Sequence, residues 1–176
     1  MESRVPVASP KLGFKEAVKN VLSNLTNVSG RARRSEYWWY ALATTVVSGI
    51  LSQIFSSMPL VNTIISIIIS LSMVAVAVRR VHDSGKNAIW VYIDYIFSII
   101  LLVYLYASGF YNMASAINPN PNDIIGVVTN PVFGVSTLIS LITGIVVFIF
   151  CLFDSDMKAN KYGESPKYTI VEENEE

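Results

Sequence analysis

The sequence predicts an all-α integral membrane protein: a four-helix bundle of transmembrane helices, preceded by an amphipathic helix on the cytoplasmic face. Charged residues are missing from long stretches, with none between Tyr37 and Val78 and only Asp123 between Tyr95 and Phe153. A helix in a soluble protein keeps a polar face for water, whereas these stretches are apolar on every face. A domain of 176 residues has too little interior to bury four such helices, so lipid must surround them.

The first segments of the chain are polar or amphipathic. Residues 1–10 contain two prolines and no apolar core for a signal peptide, so we expect a flexible arm. Residues 11–28 show helical periodicity, which predicts an amphipathic helix with a basic polar face. Such a helix either lies in the headgroup plane or packs on the cytoplasmic ends of the bundle, and both placements stay open. Its apolar face holds Phe14, Val18, Val21, Leu22, Leu25 and Val28.

Four apolar runs follow, each near the ~20 residues that cross ~30 Å of hydrocarbon. Their predicted bounds are 38–56, 61–78, 88–107 and 132–153. A longer connection, 108–131, contains three prolines and almost no charge. A single membrane domain therefore covers 11–166. Residues 167–176 end in Glu-Glu-Asn-Glu-Glu and predict a disordered acidic tail.

The basic residues predict the orientation. All 13 lysines and arginines lie in 4–34, 79–86 or 158–167. Four crossings place these three segments on one side of the membrane, and positive residues mark the cytoplasmic side. We therefore expect a multi-pass membrane protein with both termini in the cytoplasm.

Asp94 is the one acidic residue inside a predicted membrane-spanning run. An intramembrane carboxylate is a candidate for an ion or proton path. Such a path needs more than one relay group, so we favour a structural role as the partner of an arginine such as Arg79 or Arg80.

Composition argues against several classes of chemistry. Net charge is zero, so no nucleic-acid partner is expected. One cysteine, Cys151, and one histidine, His82, support neither a disulfide framework nor a metal site. His82 beside Asp83 would be the candidate catalytic pair, but adjacent residues rarely face each other and no nucleophile is placed near them. We expect no enzyme activity and no cofactor.

The densest polar residues form a candidate cytoplasmic cluster. Its members flank the first and second predicted spans: Arg31, Arg33, Arg34, Glu36, Arg79, Arg80, His82 and Asp83. A short turn joins these spans, so their cytoplasmic ends should meet. We expect crossed ion pairs, with Glu36 bound to Arg79 or Arg80 and Asp83 bound to Arg33 or Arg34. The competing interpretation is that the arginines serve only topology and lipid attraction.

Three motifs carry a family resemblance. They are Gly30-Arg31-Ala32-Arg33-Arg34-Ser35-Glu36-Tyr37-Trp38 after Phe14, Arg79-Arg80-Val81-His82-Asp83-Ser84-Gly85-Lys86, and Asn160-Lys161-Tyr162-Gly163-Glu164-Ser165-Pro166. In order and spacing they resemble the domain of unknown function 805 family over roughly 14–166. The resemblance implies a small multi-pass bacterial inner-membrane protein and no particular activity. This chain departs from the pattern at 154–159, which is charged, and at 108–131, which is long.

Two functions remain in competition. One is a membrane scaffold or regulatory module whose basic face engages anionic lipid headgroups or a cytoplasmic partner. The other is a small channel or transporter subunit that uses Asp94. The sequence leaves protein partners and homo-oligomerisation open.

Overall fold

The structure, a computed structural model, describes residues 3–173 and is mostly helical. In chain order its elements are β1 (Ser3–Ala8), α1 (Phe14–Leu22), α2 (Arg34–Ile54), α3 (Pro59–Asp83), α4 (Ile89–Ala107), α5 (Phe110–Ala114), α6 (Pro121–Val128), α7 (Pro131–Leu152) and β2 (Tyr168–Glu173).

The chain divides into two compact units. The first comprises Met1–Ala43, Met73–Ala88 and Val147–Glu176, and the second comprises Thr44–Ser72 and Ile89–Val146. Both units are therefore assembled from separated stretches, and the long helices α2, α3 and α7 each contribute to both.

Within residues 3–173, three helices are long and apolar enough to cross a membrane: α3, α4 and α7. Each corresponds to one of the runs predicted from the sequence. Helix α2 has 21 residues, but its charged first turn, its aromatic residues and its hydroxyl side chains lower its hydropathy below that of the other three.

The first unit has its centre at the end of α3. From Ala75 to Val81 every residue is buried, on all faces of the helix. Val76 packs with Val21 of α1 and with Ala32 and Tyr40 in a small apolar core. The segment before α2 docks along α3, because the Ala32 amide donates to the Arg79 carbonyl at 3.0 Å. This buried run contains two arginines, and their side chains need polar partners.

The second unit exposes its apolar residues. Ile96, Ile100 and Val103 on α4 and Leu138 and Leu141 on α7 are each at least 40% exposed. Apolar surface on this scale is typical of a protein that faces lipid.

Helix α1 is shorter than the predicted helix over 11–28. It ends at Leu22, where polar side chains bond to the backbone: Ser23 Oγ donates to the Lys19 carbonyl and Asn24 Nδ2 donates to the Asn20 carbonyl. Such side chains compete with continued helix formation. Val21 is buried, whereas Phe14 and Leu22 are exposed.

The prediction of an all-α fold missed one sheet. β1 and β2 pair antiparallel, with Val5 opposite Val171 and Val7 opposite Thr169. The predictions of a flexible arm and of a disordered tail were therefore wrong for the residues that form these strands. Each segment is only six residues long, and its partner lies at the opposite end of the sequence, so neither predicts the pairing alone. Residues 174–176 of the predicted tail lie outside the described residues.

Two connections also differ from the prediction. Helix α3 continues to Asp83, so Arg79, Arg80 and His82 lie on a helix rather than in the predicted connection 79–87. The predicted loop 108–131 contains the two short helices α5 and α6. Asn120 caps α6, its side chain accepting from the Asn122 amide, with Pro121 at the first helical position.

Candidate functional site

Asp83, the last residue of α3, is fully buried and holds two arginines. Its Oδ1 accepts from Arg31 Nε at 2.9 Å, and its Oδ2 accepts from Arg80 Nη1 and from the Ser155 hydroxyl. We call Arg31, Arg80, Asp83 and Ser155 the Asp83 network. A buried carboxylate is stable only when its charge and lone pairs are matched in this way.

Arg31 links the end of α3 to the segment after α7. Nη1 donates to the carbonyls of Lys158 and Gly163, at 2.9 and 3.2 Å. Nη2 donates to the Asp156 carbonyl at 2.6 Å, with weaker contacts to the Asp83 carbonyl and to Ser165 Oγ. With Nε on Asp83, all three guanidinium nitrogens are bonded, which the rigid fork of arginine permits and a lysine could not reproduce.

Arg80 closes the end of α7. It is fully buried, its Nε donates to the Cys151 carbonyl at 3.3 Å, and its Nη2 donates to the Phe153 carbonyl. The last carbonyls of a helix lack partners within the helix, and a cation near them also complements the helix dipole. Arg80 therefore joins the ends of α3 and α7 through Asp83.

The segment after α7 forms a tight turn against α3. The backbones of Asn160 and Gly163 exchange hydrogen bonds at 3.1 and 3.0 Å, and Gly163 has a φ of +127°. Asn160 Nδ2 donates to the His82 carbonyl at 3.0 Å, and the His82 ring stacks on Tyr162 at 3.6 Å between centroids. His82 is thus held as a stacking surface.

The turn after α3 requires a glycine. Gly85 has a φ of +71°, and a Cβ at this position would lie 2.8 Å from Asp156 Oδ2. The Asp156 amide donates to the Asp83 carbonyl at 3.0 Å, so this close approach is part of the same assembly.

Glu36 lies at the start of α2. The Arg33 carbonyl accepts from the Tyr37 amide, so Arg33 occupies the capping position of this helix. The Arg33 backbone in turn bonds to the Glu36 carboxylate three residues later, as in a capping box. Arg79 is the cation that attracts Glu36 most strongly. Nε and Nη2 of Arg79 have no hydrogen-bond partner among the described residues.

The crossed pair predicted for Asp83 forms with a different arginine. Asp83 does bind an arginine that precedes α2, but this is Arg31 and not Arg33 or Arg34. Arg33 donates to the carbonyls of Ser9 and Pro10 at 2.9 and 2.8 Å. Arg34, the first residue of α2, pairs with Asp154 at 3.1 Å.

Sequence reasoning missed the residues after α7 that complete the network. Ser155 supplies a hydroxyl donor, and Asp156, Lys158 and Gly163 supply carbonyl acceptors. The motif Asn160–Pro166 could have indicated Gly163, since a polar, glycine-containing turn after the last span must bond somewhere, whereas the other three residues lie outside it.

A more exposed ion pair lies beside the network. Lys167 Nζ donates to both oxygens of Asp154 at 2.7 Å, and Arg34 contacts the same carboxylate. Partial burial opposes the charge of Asp154, but the bond from Lys167, the Ser155 amide and Arg34 outweigh it and hold the pKa of Asp154 below its ordinary value.

Asp94 has a hydroxyl partner within the second unit. Thr143 Oγ1 donates to Asp94 Oδ1 at 3.0 Å, and a Cβ on Gly144 would lie 3.4 Å from the same oxygen. One turn along, the Ser98 and Ser140 hydroxyls are 3.4 Å apart. The predicted arginine partner was wrong for Arg80, which donates to Asp83, Ala32, Cys151 and Phe153.

The chemistry open to the Asp83 network follows from its bonding. Its carboxylate binds both guanidinium groups, and the guanidinium groups also bind backbone carbonyls. These groups therefore hold separate segments of the chain together. Among the described residues, no group of three or more His, Cys, Asp or Glu side chains is placed to hold a metal ion.

The comparisons with known proteins decide the family. The family described as "Protein of unknown function (DUF805)" matches residues 25–164, which include nearly all of the three motifs. The chain belongs to this family.

Two inner membrane proteins from Escherichia coli resemble this chain. Inner membrane protein YhaI of strain K12 is 31% identical over 97 residues, which cover 51% of this chain and 82% of YhaI. Inner membrane protein YhaH of the same strain is 33% identical over 100 residues, covering 51% of this chain and 83% of YhaH. No solved structure matches the chain. With its three long apolar helices, this chain is a membrane protein of the DUF805 family.

Proposed function

We propose that this chain is a four-pass inner-membrane protein with both termini in the cytoplasm, acting as a membrane scaffold or regulatory module. The observation that carries the proposal is the Asp83 network. Three separated polar segments, each next to a membrane-spanning helix, bond to one another and produce one ordered face at the helix ends. A buried network of this kind organises a surface instead of presenting a reactive group.

A fourth crossing by α2 is supported by its length and position. Its 21 residues at 1.5 Å each extend about 31 Å, the thickness of the hydrocarbon. After Glu36 the helix carries no charge, and Tyr37 to Tyr40 form an aromatic anchor where it would meet the interface.

The basic residues support the orientation. The Asp83 network collects the ends of α3 and α7 with the start of α2, and the lysines and arginines cluster around these ends. Residues 108–131 contain none. An anionic cytoplasmic leaflet attracts each such cation by ~1 kcal/mol.

Cysteine labelling tests the topology. In a Cys151→Ala background, Lys86→Cys and Ile117→Cys place a thiol at an exposed position on each side. With a membrane-impermeant reagent, we expect Ile117→Cys to react in intact spheroplasts and Lys86→Cys to react only after permeabilisation. Reaction of Lys86→Cys in intact spheroplasts would refute the orientation.

Complementation tests the scaffold function. Profiling the solutes, lipids and envelope stress of a deletion strain supplies a phenotype. We expect Asp94→Asn to restore it, and the double variant Lys15→Gln with Lys19→Gln, which removes two exposed cations from α1, to fail at normal abundance. The opposite result would favour the second candidate.

That second candidate is a channel or transporter subunit. The contact of Asp94 with Thr143, next to the hydroxyls of Ser98 and Ser140, supports it because several polar groups lie inside apolar helices. Polar groups at this depth are candidates for an ion or proton path. This function requires that Asp94→Asn abolish the phenotype while the protein folds normally.

A further inference from the structure

A groove opens beside the start of α2, between the β1-to-α1 segment and the end of α7. It is lined by four cations, Lys11, Arg33, Arg34 and Lys167, and encloses about 410 Å³. This volume is within the range of pockets that bind small ligands. All of its residues belong to the first unit. We call it the Lys11–Lys167 groove.

The charge of the groove is unbalanced. Asp154 pairs with Arg34 and with Lys167, and Glu36 attracts Arg33, so two negative charges face four cations and a net charge of two positive remains. Lys11 is exposed, and about a quarter of the Lys167 side chain is accessible. Arg33 has a structural role in the groove, because it donates to the Ser9 and Pro10 carbonyls and so holds this part of the lining in place.

Part of the groove lining is aromatic and apolar. Trp38, Trp39 and Leu152 form it. Leu152 is the last residue of α7, a helix able to cross a membrane, so the groove lies where a span ends. Trp39 packs edge-on against Phe14 of α1, and 39% of it remains exposed. Tryptophan at the end of a span is typical of the headgroup level of a bilayer.

From these observations we infer that the Lys11–Lys167 groove binds one anionic phospholipid, with the phosphate against Lys11, Arg34 and Lys167 and the glycerol and acyl ends against Trp38, Trp39 and Leu152. The inference rests on the proposed placement of this end of the bundle at the cytoplasmic leaflet. It goes beyond general attraction to an anionic surface, because it assigns one built site.

The amphipathic lining favours a lipid over a free anion. A soluble phosphate would use only the cations and would leave the two tryptophans and Leu152 without a role. Basic pockets beside membrane helices are suited to anionic headgroups because the acyl chains stay in the bilayer while the phosphate is neutralised.

Tryptophan quenching tests the site in the full-length chain. Two of the three tryptophans line the groove, so Trp90→Phe leaves emission that reports on it. The protein is placed in phosphatidylcholine nanodiscs that contain either brominated phosphatidylglycerol or the same fraction of brominated phosphatidylcholine. We expect stronger quenching by the anionic lipid, saturating with its mole fraction.

Charge-matched variants separate the groove from general attraction. Lys11→Gln with Lys167→Gln removes two groove lysines, and Lys86→Gln with Lys161→Gln removes two exposed lysines elsewhere in the same unit. We expect the first pair to weaken the preference for the anionic lipid by roughly five-fold for each lysine, and the second pair to leave it unchanged. Melting in detergent checks folding, and Lys11→Gln alone replaces the double variant if it fails to fold.

Three outcomes would overturn the inference. Equal loss in both pairs would mean diffuse attraction to the leaflet, and no loss in the groove variants would mean that no site exists. Relief of quenching by equimolar soluble glycerol phosphate would identify a free phosphate as the ligand. The topology and complementation experiments do not depend on Lys11 or Lys167, so failure of this inference can be distinguished from failure of the proposed function.

Discussion

The carboxylate of Asp83 is completely buried and binds two arginines and a serine. Taking a carboxylate out of water costs several kcal/mol, and the two guanidinium groups offset this only while the negative charge is present. The network is therefore sensitive to the charge of Asp83 and much less so to its shape.

We expect Asp83→Asn to destabilise the protein by about 3–5 kcal/mol, because Arg31 and Arg80 would stay buried without a countercharge. The measurement is the apparent melting temperature in detergent. Asp154→Asn is the matched control: it also removes an ion-paired carboxylate, but one that is 48% exposed, so its loss should be about 1 kcal/mol or less. Equal losses in the two variants would show that burial of Asp83 contributes nothing.

The pair of Asp154 with Lys167 predicts a dependence on pH. The pKa of Asp154 lies below its ordinary value. Burial opposes the charge of Lys167, but bonds with Asp154 and Tyr168 raise the pKa of Lys167. An interaction that lowers the pKa of a carboxylate stabilises the folded protein above about pH 4, and this stabilisation is lost as the pH falls. An interaction that raises the pKa of a lysine stabilises the folded protein below about pH 10, and this stabilisation is lost as the pH rises.

The stability difference between the natural chain and Asp154→Asn should therefore be constant from about pH 5 to pH 9. It should shrink below and above this range, as Asp154 gains a proton or Lys167 loses one. Parallel melts in detergent at stepped pH values measure it. A difference that grows as the pH falls would contradict the pairing.

At the scale of elements, the hydrogen-bond pattern of the two terminal strands explains where their one proline lies. The Ser9 amide donates to the Lys167 carbonyl at 2.8 Å, which makes this a hydrogen-bonded pair continuing the register of β1 and β2. Such pairs alternate along an antiparallel ladder. Pro6, opposite Ile170, therefore falls at a position that donates no ladder bond, where proline is tolerated.

The same alternation predicts opposite effects of two neighbouring proline substitutions. Thr169 faces Val7 in a hydrogen-bonded position, whereas Ile170 faces Pro6 in a position without ladder bonds. Thr169→Pro should separate the strands and speed amide hydrogen exchange at Val5 and Val7. Ile170→Pro should leave their exchange close to the natural rate. Similar exchange in both variants would show that the register is wrong.

At the scale of the whole molecule, the first unit is built from three stretches that are far apart in the sequence. The last of them contributes polar groups, not apolar surface, to the Asp83 network: the Ser155 hydroxyl and the carbonyls of Asp156, Lys158 and Gly163. The unit should therefore fail to form from its first two stretches alone.

Two truncations test this dependence. A chain that ends at Phe153 loses all four of these groups, whereas a chain that ends at Lys167 keeps them and loses only β2. We expect the shorter chain to be depleted from the membrane fraction and to melt much earlier in detergent, because Arg31 loses most of its bonds. The longer chain should stay close to natural abundance. Equal behaviour of both chains would mean that the network does not hold the unit together.

Much of the site could be anticipated from residues alone, and the failures have specific causes. Eight cluster residues were predicted, and Asp83 does bind an arginine that precedes α2. Which arginine it binds was not predictable, because Arg31, Arg33 and Arg34 are interchangeable by type and differ only in the direction that the start of α2 gives each side chain. Ser155 was missed for a related reason, since one serine in a polar segment carries no signal.

Local patterns along the chain were enough to establish that this is a membrane protein, where the long helices lie and which family it belongs to. These properties are sums over local windows or short motifs, because apolar transfer is additive along a helix. Folding alone determines which carbonyls hold Arg31 and Arg80, that the two ends of the chain pair as strands, and that four cations surround a groove beside Trp38. Hydrogen bonds and ion pairs are short and directional, so their partners depend on where distant segments meet.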